Sequence, residues 1–84
     1  MATREEFFNS LKGILVDRLK VDGDTITPEA TFLEDLGLDS IDLMTMVMAL
    51  EEEFGIEVDD SEVEGIETVS QALDLLTSKA KISA

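Results

Sequence analysis

Apolar residues in this chain recur three and four positions apart, and nowhere do they alternate with polar ones over the length of a strand. That spacing lines one face of an α-helix but would scatter over both faces of a β-strand. The chain is therefore restricted to packing helix against helix. Phe7, Phe8, Leu11, Ile14, Leu15 and Leu19 mark the first such stripe. Thr3 and Glu6 ahead of it form a capping box, Lys20 suits the negative end of the helix dipole, and Gly23 offers a stop, so the first helix is predicted over about 4–20. A second begins at Asp39 or Ser40, both good caps, and runs to about Glu53 with Gly55 behind it. A short third is predicted near 60–65, after Asp59 and Asp60. The fourth starts at Thr68, where Thr68 and Gln71 form another capping box; Val69, Ala72, Leu73 and Leu76 give its apolar face, and Lys79 and Lys81 sit at its end. The expected fold is all-α, a four-helix bundle of three main helices and a short one, formed as one domain over residues 1–84.

Residues 21–39 form a long connection between the first two helices, marked by turn signals at Asp22-Gly23-Asp24 and Thr27-Pro28. A loop of this length in a small domain has its own packing or a function. Phe32, Leu33, Leu36 and Leu38 predict that it packs back over the bundle. Asp22 and Asp24 open like a calcium loop, but Ile26, Thr27 and Leu33 occupy the places of its third acid, its glycine and its closing glutamate, so no metal site is expected.

Charge narrows the partners. There are 20 acids against 6 bases, a formal net charge of −14, and 17 of the acids fall between Lys20 and Lys79, where no Lys or Arg occurs. Nucleic acids and anionic membranes call for basic patches, so neither is an expected partner. Proteins with basic surfaces are. The early acids at the N-terminus do not form a secretion signal, and the apolar run Met46–Leu50 is too short to enter a bilayer as a span. With no cysteine in the chain, the expected location is cytoplasmic.

The second helix carries two apolar stripes. At about 100° per residue, Leu43, Met46, Val47, Leu50 and Phe54 form a core face, while Ile41, Met44 and Met48 lie well away from it, with Thr45 and Glu52 beside them. A helix in so small a bundle keeps one side in water, so the second stripe is predicted to be an exposed patch rimmed by acids, a partner surface. Methionine suits a surface that must fit several partners. The run Glu51-Glu52-Glu53 opposes the helix dipole at its C-terminal end, a local conflict of the kind functional sites carry.

Nothing in the chain supplies catalysis. It has no His, Cys, Tyr or Trp, so a serine nucleophile would find no imidazole base, and Leu38-Asp39-Ser40-Ile41-Asp42 is not a nucleophile elbow. Ser40 reads better as a group that is modified: a phosphate there would sit at the positive end of the second helix. Read alone, it would equally be a helix cap.

Leu36-Gly37-Leu38-Asp39-Ser40-Ile41-Asp42 resembles the attachment motif of the acyl carrier protein family. Phe32-Leu33-Glu34-Asp35-Leu36 before it, Met48-Ala49-Leu50-Glu51-Glu52-Glu53-Phe54-Gly55-Ile56 after it, and Thr68-Val69 ahead of Ala72 are similar to the family at matching spacing. The resemblance implies a non-catalytic carrier of fatty acid biosynthesis, with 4′-phosphopantetheine transferred from coenzyme A to Ser40 by a phosphopantetheinyl transferase. Acyl chains then ride as thioesters on its thiol, partly sheltered by the bundle. It implies a monomer that meets acyl-transferring, condensing and reducing enzymes through basic patches, and by position it assigns docking to Asp39, Ile41, Asp42, Met44, Met48, Glu51 and Glu52. Ile41, Leu43, Thr45 and Leu75 depart from the residues usual in fatty-acid carriers. A discrete carrier of a polyketide or other specialised acyl pathway is therefore the alternative, with an unmodified acidic interaction module as a more remote one.

The base-free acidic stretch predicts a fold strained by its own charge. Moderate salt or millimolar magnesium is expected to raise the melting temperature, through screening and counterion binding to the native state. A melting temperature that stays flat from low to physiological ionic strength contradicts this.

Overall fold

The computed structural model describes residues 3–83, with side chains as far as Lys79. Among the described residues there are four α-helices: α1 Arg4–Asp17, α2 Ser40–Phe54, α3 Asp60–Glu64 and α4 Val69–Ser83. α1 packs against α2 and α4, and α3 against α2. This is the all-α bundle that the apolar spacing predicts.

Each helix begins where its capping chemistry places it. Thr3 Oγ1 accepts the Glu6 amide at 3.2 Å. Gln71 Oε1 accepts the amides of Glu67 and Thr68 at 2.7 and 3.0 Å, while the Gln71 amide donates to Thr68 Oγ1 at 3.2 Å. α2 ends at Gly55, whose φ of 65° turns the chain left-handed, and the amides of Gly55 and Ile56 both close on the Glu51 carbonyl.

The end of α1 corrects the sequence reading. The helix stops at Asp17, not near Lys20, and Lys20 has a φ of 60°. The reason is tertiary: the reversal brings the Val21 amide onto the Leu15 carbonyl at 2.9 Å and buries the Val21 side chain. Lys20 still serves the helix end, because its Nζ donates to the Asp17 carbonyl at 3.2 Å. Gly23 is not the stop but opens a single 3-10 turn, Gly23–Thr25, capped by Asp22. The Lys81 side chain lies outside the described ones.

Phe7, Leu11 and Leu15 of α1, Met46 and Leu50 of α2, and Val69 and Leu73 of α4 fill the core. Phe7 meets Phe54 edge to face at 4.6 Å, the arrangement aromatic quadrupoles favour. The long connection joins this core through Phe32 and Leu38, both buried, with Leu36 half-buried. Leu33 departs from expectation: it is 61 % exposed. Backbone bonds unseen in the sequence hold the connection in place. Thr31 pairs with Thr68 in an isolated antiparallel bridge, with the Phe32 amide on the Glu67 carbonyl and the Val69 amide on the Ala30 carbonyl, each at 3.0 Å. The amide of Ser70 adds a bond to the Pro28 carbonyl at 2.8 Å.

Two ion pairs cross between elements among the described residues. Arg4 reaches Asp74 at 2.6 Å, joining α1 to α4. Lys79 meets Glu62 at 2.9 Å, joining α4 to α3. The Lys79 ammonium, with the Asp59 amide behind it, holds the Glu62 carboxyl below the usual carboxylate range, and Glu62 in turn raises Lys79. A lowered acid stabilises the fold above its ordinary value and loses that effect as pH falls through the lowered one. A raised base loses its effect as pH climbs through the raised one. The pair therefore favours the fold throughout the neutral range.

Leu50 is 2 % exposed on the core face of α2, whereas Met48, two residues earlier, is 55 % exposed. Leu50→Ala is expected to cost about 2–5 kcal/mol in chemical unfolding, and Met48→Ala to stay within about 0.5 kcal/mol. Equal losses would place both side chains in the core.

Candidate functional site

Ser40 owes its position to the residues just before it. Gly37 has a φ of 67°, a conformation glycine adopts without steric penalty. The turn there sends the Leu38 amide back to the Phe32 carbonyl at 2.9 Å and buries Leu38. Asp39 then caps α2. Its Oδ1 accepts the Asp42 amide at 2.9 Å, and Asp42 Oδ2 accepts the Asp39 amide at 3.2 Å, a complete reciprocal box. Of the two starts left open by the sequence, the structure takes Asp39 as cap and makes Ser40 the first helical residue. The Ser40 side chain is thus relieved of capping and stands exposed at a fixed helix end.

Beside Ser40 lies an open cleft of about 730 Å³. α2 contributes Ser40, Leu43 and Met44 to its lining, and α3 contributes Asp60, Val63 and Glu64. Thr31, Leu33 and Glu34 approach from the long connection, and Ile66 and Glu67 from the segment before α4. Leu43, Val63 and Ile66 are buried, so the floor is apolar, while Glu34, Asp60, Glu64 and Glu67 are exposed. The sequence did not place α3 and the long connection on either side of Ser40. The Thr31–Thr68 bridge with its neighbouring backbone bonds, and the packing of α3 on α2, bring these residues together.

The second stripe of α2 is present in part. Ile41 is 75 % exposed and Met48 is also largely exposed. Met44 is not on that open face: it is half-buried, packs against the core and lines the cleft. The three glutamates also differ from one another. The Glu51 carboxylate accepts the Val58 amide at 3.0 Å and so braces the turn into α3. Glu53 accepts the Ser10 hydroxyl at 3.2 Å. Glu52 is exposed. The run is therefore less of a local conflict than its sequence implies, since two of its members bond to other elements. Asp39 and Asp42 likewise have a structural task in the capping box.

Residues 9–76 match the family described as phosphopantetheine attachment site. The chain is 45 % identical over 80 residues to the acyl carrier protein of Petrotoga mobilis, covering 95 % of this chain and 94 % of that one. It is 45 % identical over 76 residues to that of Thermosynechococcus vestitus, covering 90 % and 94 % respectively. The chain belongs to the acyl carrier proteins. A crystal structure of the acyl carrier protein from Thermotoga maritima superposes with a TM-score of 0.87 at 30 % identity, covering 96 % of this chain and 94 % of that one. Membership makes this protein a non-catalytic carrier, substrate of a phosphopantetheinyl transferase and bearer of covalent 4′-phosphopantetheine. Fatty acid biosynthesis is the standard role of these relatives. The residues present fit such a group, because an exposed hydroxyl stands at a helix N-terminus on the edge of an apolar-floored cleft. Among the described residues, no helix is long and apolar enough to cross a membrane, and no group of three or more acids could hold a metal ion.

The division of labour between Asp39 and Ser40 is testable. Asp39→Ala is expected to lower stability by about 1 kcal/mol, the loss of a helix cap. Ser40→Ala is expected to stay within about 0.5 kcal/mol in the same unfolding measurement. The reverse order would make Ser40 the cap.

Proposed function

We propose that Ser40 is the attachment point of the phosphopantetheine arm and that this carrier presents acyl intermediates to the enzymes of fatty acid biosynthesis. The observation that carries the reading is the Ser40 hydroxyl, exposed at the start of α2 and lining the cleft. On the transferase, Ser40 Oγ attacks the pyrophosphate phosphorus nearer the pantetheine of coenzyme A. A P–O bond forms, adenosine 3′,5′-bisphosphate leaves, and the hydroxyl proton passes to a base, which the partner must supply because this chain has no histidine. Once attached, the arm supplies the thiol for thioester formation that a chain without cysteine lacks.

The chain's own residues do the rest. The N-terminus of α2 places positive partial charge near a phosphodiester on Ser40, and the capping box uses the amides of Asp39 and Asp42 rather than those of Ser40 and Ile41. The cleft floor shelters part of an acyl chain, at about 0.8 kcal/mol for each methylene buried. Docking by the transferase and by acyl-transferring, condensing and reducing enzymes falls to Asp39, Ile41, Asp42, Met44, Met48, Glu51 and Glu52. Within that set Ile41, Met48 and Glu52 are the residues fully free to face a partner. The carrier works as a cytoplasmic monomer in this reading, handed from one enzyme with a basic patch to the next.

The departures that favoured a polyketide or other specialised pathway lose weight in the fold. Leu43 is buried, and Thr45 is half-buried with its hydroxyl donating to the Ile41 carbonyl at 3.1 Å. Only Ile41, of the three departures on α2, faces outward, and it remains apolar.

Incubation with a broad-specificity transferase and coenzyme A is expected to add one arm by intact mass, and Ser40→Ala to add none. Glu52→Lys is expected to slow the modification most at low salt, since rim charges act on encounter. Met48→Ala is expected to weaken docking with little salt dependence, since buried contact acts on dissociation. Labelling that persists in Ser40→Ala would refute the assignment.

A further inference from the structure

The cleft beside Ser40 has an apolar floor and a rim of one charge sign. Leu43, Met44, Val63 and Ile66 give the floor, and Glu34, Asp60, Glu64 and Glu67 stand around it, all four exposed. No Lys or Arg lines the cleft, and none occurs in sequence between Lys20 and Lys79. Four amides at the neighbouring helix starts are engaged by side chains, that of Asp42 by Asp39, that of Asp59 by Glu62, and those of Glu67 and Thr68 by Gln71; the amides of Ser40 and Ile41 are left to the phosphodiester that the proposed arm places on Ser40.

From this arrangement we infer that the cleft sorts cargo by charge, admitting neutral acyl chains and holding carboxylate-terminated ones outside on the solvent side of the rim. The inference rests on the reading of the cleft as the acyl shelter and adds a selectivity to it. A neutral chain entering the cleft removes apolar surface from water and meets no opposing charge. A chain ending in a carboxylate must shed hydration over an apolar floor without gaining a cationic partner. It must also approach four exposed carboxylates of its own sign with no base among the cleft-lining residues to offset them. The two penalties act together on the same group. A carboxylate-terminated acyl group therefore stays accessible to the enzymes that use it, while a neutral chain of the same length is withdrawn.

The test compares two six-carbon cargoes on the full chain, hexanoyl and adipoyl, loaded from their coenzyme A thioesters by a broad-specificity transferase. The readouts are the ε-methyl resonances of Met44, which lines the cleft, and Met48, which does not, together with the melting temperature. Hexanoyl is expected to shift Met44 but not Met48 and to raise the melting temperature above that of the unacylated carrier. Adipoyl is expected to leave both methyls and the melting temperature at the unacylated values. In the rim variant carrying Glu34→Gln, Asp60→Asn, Glu64→Gln and Glu67→Gln, adipoyl is expected to shift Met44 toward its hexanoyl position. An adipoyl shift equal to the hexanoyl shift in the unaltered carrier overturns the sorting while leaving the shelter intact. Adipoyl that stays outside the rim variant overturns the assignment to these four acids. Hexanoyl that moves neither Met44 nor the melting temperature overturns the shelter and the sorting together.

Discussion

Backbone amides do for the acids of this chain what lysines and arginines do in most small domains. No base falls between Lys20 and Lys79, and although Asp74 and Glu62 reach Arg4 and Lys79 from outside that stretch, several of its carboxylates take their bonds from backbone N–H groups. Asp22 holds the Asp24 amide, Asp35 the Thr31 amide, Asp39 the Asp42 amide, Glu51 the Val58 amide and Glu62 the Asp59 amide. Each of these bonds fixes a helix start or a turn. A carboxylate accepting an N–H is a charge-assisted bond, stronger than a neutral one, and at a helix N-terminus it also meets the positive end of the dipole. The acidity that would loosen a chain without such partners thus organises the connections of this one, and the apolar core then has only to join helices whose ends are already set.

The same bonds explain what could be read from the sequence. Capping is local: Thr3 with Glu6, Asp39 with Ser40 behind it, and Thr68 with Gln71 announce their helix starts within four residues, and α1, α2 and α4 begin where those signals stand. The core stripe of α2 was legible because helical spacing is local too. What failed depends on distant residues. α1 ends early because Val21 returns to the core under Leu15. Leu33 is left outside because the two residues before it are committed, with Phe32 in the core and Thr31 bridged to Thr68. Met44 sits at the angular border between the two stripes of α2. In the fold it packs against the core and lines a cleft shared with α3, whose five residues give only a weak pattern of their own.

Ser40 was legible for a different reason. Its flanking pattern, Gly37 through Asp42, has backbone reasons of its own: the glycine takes a positive φ, Leu38 fills the core, and Asp39 and Asp42 cap each other. Gly37, Leu38, Asp39 and Asp42 are occupied in holding the chain, and Ser40 and the apolar Ile41 are left facing solvent at a fixed point. A family signature here coincides with a structural necessity, which is why its residues could be named and their division of labour could not. The cleft was the opposite case. Its lining comes from the long connection, α2, α3 and the segment before α4, and no spacing in the sequence links them.

The absence of bases from residues 21–78 bears on stability and, in the reading proposed above, on docking and cargo as well. Its effects differ in sign. Mutual repulsion among the acids works against the folded state and is relieved by screening. Attraction to a basic partner works in favour of encounter and is weakened by the same screening. Salt that firms the fold would thus slow recruitment in the proposed reading, and the core and outer faces of α2 are separate. Leu50 and Met46 answer to stability, while Ile41, Met48 and Glu52 stay outside the core. A single helix can serve both because its two faces have different neighbours, the bundle on one side and, in the proposed reading, a transient enzyme on the other. Met44 lies at the border of the two faces, packed against the core and lining the cleft proposed to shelter the cargo.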